Sequence, residues 1–130
     1  MFEPGDVVRF NYLWKWQADK GEESGRKSRP SCVVVRTPTS PSALYLFAIT
    51  SQKPDGNRLS LAIPQMECRR AALAHPSWII LDEYNRTVDD QAFDFESPHP
   101  IGRFSPAFLQ AIARTVKEAA AVRRLSAINR

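Results

Sequence analysis

Val8, Phe10, Tyr12 and Trp14 recur at every second position with Arg9 and Asn11 between them, which predicts a strand over 6–14 with one apolar face. Lys15 to Ser28 is polar, contains Gly21 and Gly25 and shows no periodicity, so it predicts a loop of about a dozen residues, longer than a routine hairpin connection. Ser31 to Arg36 predicts a second strand and Pro38 to Ser42 a turn. Ala43 to Thr50 is an almost unbroken apolar run, the pattern of a strand covered on both faces. Lys53-Pro54-Asp55-Gly56-Asn57 is turn chemistry, and the alternation from Arg58 to Ile63 after it predicts a hairpin. Met66 to Ala74 predicts one or two helical turns ending before Pro76, and Trp78 to Leu81 a strand running into Asp82.

Asp89 to Pro100 holds three aspartates, a glutamate and two prolines, and predicts an exposed excursion. Order is expected to return at Ile101 to Phe104. Ser105-Pro106 is an N-cap followed by proline at the first helical position. Beyond it Phe108, Leu109, Ile112, Val116, Ala119 and Ala120 recur at threes and fours, predicting one amphipathic helix with Arg123 and Arg124 at its far end. The sum is a single domain over 1–130, mainly β with a C-terminal α-helix, whose short strands suit an SH3-like, partly open barrel.

Composition adds little to the fold. The chain has 130 residues, 43% hydrophobic and 25% charged, an ordinary globular balance that buries roughly two-thirds of the unfolded surface. No apolar run approaches the ~20 residues of a spanning helix, and Phe2 to Asp6 does not read as a leader, so a cytoplasmic protein is expected. Cys32 and Cys68 lack metal-ligand spacing, and Cys32 sits in an apolar run as a small buried hydrophobe would. Charge changes the picture more. Lys15 to Arg36 carries six basic and three acidic residues, Asp82 to Glu96 six acidic and one basic, and Arg103 to Arg130 six basic and one acidic. Basic clusters of this size suit a phosphate-bearing partner, although charge alone is equally the mark of a solvated face.

Several separated segments fall into a familiar order. "PGDVVRF" at the first strand, then "SRPSCVVV", "AITSQ", "WIILDEYNRTVD" and "GRFSPAFLQAI" together resemble the MazF/PemK/Kid family of toxin endoribonucleases, over nearly the whole chain. The resemblance implies a compact barrel that dimerises, cleaves single-stranded RNA such as mRNA at short sequences without a metal or other cofactor, and is held inactive by a cognate antitoxin. It implies site roles for Arg29, before the proline, and Thr50, in the "TSQ" segment. It extends to Asp82 at the end of the later strand and to Glu23 in the first long loop, each matched in some members. Two departures stand out: Ile80 occupies a position that is basic in some members, and the first long loop has no histidine.

Elementary chemistry points the same way for Arg29 and Thr50. Pro30 disfavours a helical backbone at Arg29, so the guanidinium leaves from a fixed point where loop meets sheet. Its planar fork of donors matches two phosphate oxygens, which gather charge in the transition state of phosphodiester cleavage. Thr50, Ser51 and Gln52, at the end of a rigid strand, add neutral polar groups. Lys15, Arg26 and Lys27 supply backbone contacts to RNA, and Trp16 a stacking face. Trp14 and Trp78, at strand positions, are expected in the core. His75 and His99 precede prolines in loops and are expected in solvent. Besides the ribonuclease, two other readings fit: a toxin of the same barrel class acting on a protein such as gyrase, and a non-catalytic interaction module in which Arg29 only contacts phosphate.

Overall fold

The computed structural model describes residues 2–25, 27–89 and 93–130. Among them, eight strands form one open, mostly antiparallel sheet: β1 (Asp6–Phe10), β2 (Arg29–Arg36), β3 (Ala43–Thr50), β4 (Ser60–Ala62), β5 (Trp78–Ile80), β6 (Glu83–Val88), β7 (Gly102–Arg103) and β8 (Ser126–Asn129). Three helices join them: α1 (Lys15–Asp19), α2 (Gln65–Arg70) and α3 (Pro106–Ala121). The fold is mainly β with a long helix near the C-terminus, and β8 follows that helix, parallel to β6.

Both faces of the sheet are covered. Val7, Cys32, Phe47, Ile49 and Ile79 lie in one apolar cluster with Ile112 of α3, while their sequence neighbours Val8, Val33, Leu46 and Ala48 lie in another with Phe2, Phe10 and Tyr12. That explains the apolar continuity of β2 and β3, because alternate residues of each strand enter different cores. α3 starts as its sequence requires: the Ser105 side chain accepts from the Phe108 amide 3.2 Å away, and Pro106 occupies the first turn. The Glu67 carboxylate in turn accepts from the Ser105 amide and hydroxyl, fastening α2 to the start of α3.

Four local expectations differ from the structure. The strand over 6–14 ends at Phe10, where the Tyr12 amide donates back to the Phe10 carbonyl and turns the chain. The loop from Lys15 begins with helix α1. β3 and β4 do not pair with each other, because β5 lies between them. β6 and β8 fall where no strand is predicted. Cys32 and Cys68 are buried, and desolvation, with the Asp6 carboxylate second, pushes the Cys32 thiol far above its ordinary range.

β5 and β6 both run along the same edge of β3, yet three steps along β3, from Ile49 to Leu46, are matched by six along the partner, from Ile79 to Asn85. The excess is taken up at Leu81-Asp82, where the chain leaves the ladder and puts the Asp82 side chain beside Arg58.

Candidate functional site

Arg29 opens β2 opposite Phe10 of β1. The β2–β3 register runs from Arg36↔Leu44 to Ser31↔Ala48, and its continuation by two residues brings Arg29 opposite Thr50, the last residue of β3. Directly opposed residues share a face, and Arg29 and Thr50 line one cleft of about 440 Å³ with Ser51 and Gln52. Lys27 and Arg9 add two further cations to its wall, and no carboxylate lines it among the described residues. The loop that delivers Lys27 and Arg29 passes tightly over the end of β1. A Cβ at Gly25 would collide with the Asn11 carbonyl, so only glycine allows this approach.

Arg29 differs from the arginines around it. Arg9, Arg36, Arg58, Arg103 and Arg130 are each ion-paired with Asp or Glu. Among the described residues the Arg29 guanidinium has no carboxylate partner, and it lies over the Trp14 ring, 5.5 Å from the centroid. Its five donors therefore belong to a residue that lines a polar cleft and carries a charge with no neighbouring acid among the described residues. The Thr50 hydroxyl oxygen accepts from the Gln52 amide at 3.1 Å, and that bond leaves the hydroxyl's one proton to donate.

Asp82 lies elsewhere. Its carboxylate accepts both Nε and Nη2 of Arg58, at 2.7 to 3.2 Å, and the Leu59 amide at 3.1 Å. The same Nη2 donates to Glu83, whose side chain is only 4% exposed, at 2.9 Å. The other Glu83 oxygen accepts from the Tyr12 hydroxyl and the Lys15 amide. Burial, with the Glu83 charge next, holds the Tyr12 phenol well above its ordinary value, so Tyr12 remains a neutral donor at physiological pH. Asp82, Arg58, Lys15 and Trp16 line a second cavity of about 480 Å³. Arg58 has no counterpart among the site residues expected from sequence; it opens the alternating segment read as the second half of a hairpin, 24 residues before its main partner.

A third, smaller hollow of about 300 Å³ shares Trp16 with the second cavity and Lys27 and Arg29 with the first. It is lined by Tyr12, Trp14, Trp16 and Gln17 together with Lys27 and Arg29 of the first cleft. Trp16 is 46% exposed, with the Lys20 ammonium 5.3 Å from its ring centroid, and Trp14 is half-buried at the margin of the core, packed against the cluster that holds Val8, Phe10 and Tyr12. Trp78 is half-buried too, on β5. Of the remaining expected site residues, Glu23 is exposed on the loop and lines none of these three cavities, and Arg26 lies outside the described residues. His75 and His99 are exposed. Glu96, unremarked in the sequence, reaches the edge of the basic cleft, where it accepts from Arg9 Nε and the Ser28 hydroxyl. Among the described residues no three His, Cys, Asp or Glu side chains stand together in a metal-holding group.

An uncommitted guanidinium beside hydroxyl and amide groups, followed by a trail of aromatic rings and cations, is suited to holding a phosphodiester and the bases next to it. No protein-family model matches the chain, and no curated protein matches it.

Proposed function

We propose that the chain is an endoribonuclease of the MazF/PemK/Kid type with an SH3-like barrel, the toxin of a type II toxin–antitoxin pair, which cleaves single-stranded RNA by attack of the substrate's own 2′-hydroxyl. The observation that carries this reading is the Arg29 guanidinium, without a carboxylate partner among the described residues and lining one cleft with Thr50, Ser51 and Gln52. The scissile phosphate lies in that cleft. Arg29 neutralises the charge that collects on its non-bridging oxygens, and Thr50 donates a hydrogen bond to one of them. The guanidinium keeps its protons throughout, so it stabilises charge and does not act as the base.

The 2′-oxygen attacks the adjacent phosphorus as its proton is taken, the P–O5′ bond breaks with the departing 5′-oxygen taking a proton from solvent water, and the products are a 2′,3′-cyclic phosphate and a 5′-hydroxyl. Asp82, enclosed by Arg58 and the Leu59 amide, serves as the anchor of Arg58. Glu23, on the loop that delivers Arg29, is the carboxylate we assign to accept the 2′-proton. Lys15, Arg26 and Lys27 hold flanking phosphates, Ser51 and Gln52 contact the nucleotide at the cut, and Trp16 stacks a base. The protein acts as a homodimer, and a cognate antitoxin silences it by laying an acidic segment across the cations that would otherwise hold RNA.

Incubation of the purified protein with a mixed-sequence RNA in EDTA tests this reading. Discrete cuts with cyclic-phosphate ends are expected. RNA that stays intact while still bound would contradict the enzyme and leave a binding module.

A further inference from the structure

We propose that Trp14 is a positioning residue for Arg29, and that Arg58 in turn holds Trp14. The inference rests on the cleavage reading for its kinetic consequence, whereas its geometry stands on contacts alone. Trp14 caps the N-terminus of α1, and its backbone is tied at both ends: its amide donates to the Gln17 side chain and its carbonyl accepts from Gln17 and Ala18. Its ring meets Tyr12 edge-on, with centroids 4.9 Å apart. The Arg58 guanidinium lies 5.9 Å from the ring centroid. Arg58 is fixed by Asp82 and Glu83, and Glu83 is fixed by Tyr12. Tyr12, Glu83, Arg58 and Trp14 therefore close a ring of contacts in which each side chain is held by two others.

The Arg29 guanidinium lies outside that ring and over the Trp14 face, without the carboxylate partner that Arg9 and Arg58 have among the described residues. A free arginine side chain samples many rotamers, and a phosphate ligand must select one of them. An aromatic face attracts the cation without occupying its N–H donors, whereas a carboxylate partner would use those donors up. Trp14 thus confines the guanidinium and leaves its fork available to two phosphate oxygens. Confinement of this kind shows in the rate of the bound complex more than in affinity, since it sets how often the charge stands where the transition state needs it.

The test uses the full chain with the variants Trp14→Ala and Trp14→Phe. In the first arm, NMR follows the Arg29 Nε–Hε signal, assigned by its loss in Arg29→Lys. Ring-current displacement in the wild type, its loss in Trp14→Ala and its partial return in Trp14→Phe are expected. In the second arm, steady-state cleavage is expected to show kcat about tenfold lower in Trp14→Ala, KM changed less than about threefold, and most of the rate restored by phenylalanine. An undisplaced Arg29 signal in the folded wild type would overturn the proposal, as would a Trp14→Ala effect confined to KM, which would make Trp14 a base-stacking contact. A wild-type chain that cuts no RNA would defeat the cleavage reading, and the first arm would still decide the geometry. Trp14→Phe keeps an aromatic face and decides the case where alanine unfolds the protein.

Discussion

Arg29→Ala is expected to reduce RNA cleavage by about a thousandfold or more while shifting the thermal midpoint by less than about 3 °C. The two halves of this expectation have one cause. Among the described residues the guanidinium has no ion-pair partner, so its removal leaves no acid behind, and the apolar cores on either side of the sheet do not include it. What is lost is a positive charge at the oxygens of a pentacoordinate phosphorus, where removal of one stabilising donor commonly costs two or three orders of magnitude and a charged one more. Cleavage rates with circular dichroism melts on the same preparation check both halves. Retained activity would remove Arg29 from the site.

Arg58→Ala is expected to act on stability, with a loss of about 3 kcal/mol and a midpoint roughly 10 °C lower. Arg58 joins two carboxylates, and the side chains of Asp82 and Glu83 are only 17% and 4% exposed. Without the guanidinium two adjacent, poorly solvated carboxyl groups would lose their shared cation, which is the costly way to break a buried pair. Glu83 would keep the Tyr12 hydroxyl and the Lys15 amide, and Asp82 the Leu59 amide, which limits the loss. Urea titration of wild type, Arg58→Ala and Arg58→Lys checks the figure, with lysine expected between the two because it keeps the charge and loses the fork. A midpoint within about 2 °C of wild type would show that the network contributes little to folding.

The elements that could be read from sequence are those whose local signals agree with their surroundings. β3 announces itself because both its faces enter apolar clusters, and α3 because Ser105-Pro106 and the spacing of Ile112, Val116 and Ala119 coincide. β6 does not, and the reason is physical. Its inward residues are Glu83, Asn85 and Thr87, so its buried face is polar and inverts the usual pattern. Asn85 replaces strand pairing for Leu13 by accepting from its amide and donating to its carbonyl, which is also why the chain leaves β1 after Phe10 without orphaning those groups. β8 buries only Ile128 and pairs with a strand some forty residues earlier, a contact with no local trace. The β3–β4 hairpin failed as an expectation because turn residues Pro54 to Asn57 mark a reversal of direction and do not name the strand's partner.

The same distinction runs through the site. Arg29 and Thr50 are legible because each stands at a strand end, where the backbone dictates the exit point, and the register then opposes them. Asp82 is legible as the residue where a strand stops. That it faces Arg58 rather than the basic cleft follows from the extra residues accommodated at Leu81-Asp82, a register effect that spacing in the sequence does not encode. Trp14, expected in the core by its period, stands half-buried because the strand ends before it and helix α1 begins after it.

The central claim is that the substrate supplies its own nucleophile in the cleft of Arg29 and Thr50. The most direct measurement is cleavage of two oligonucleotides identical at the cut site except that one has a single deoxynucleotide immediately 5′ to the scissile phosphate, both in EDTA. The all-ribose strand is predicted to be cut to a 2′,3′-cyclic phosphate and a 5′-hydroxyl, and the substituted strand to remain whole at that position. Cutting of the substituted strand at the normal rate would contradict the account, because the attacking oxygen would then come from somewhere other than the RNA.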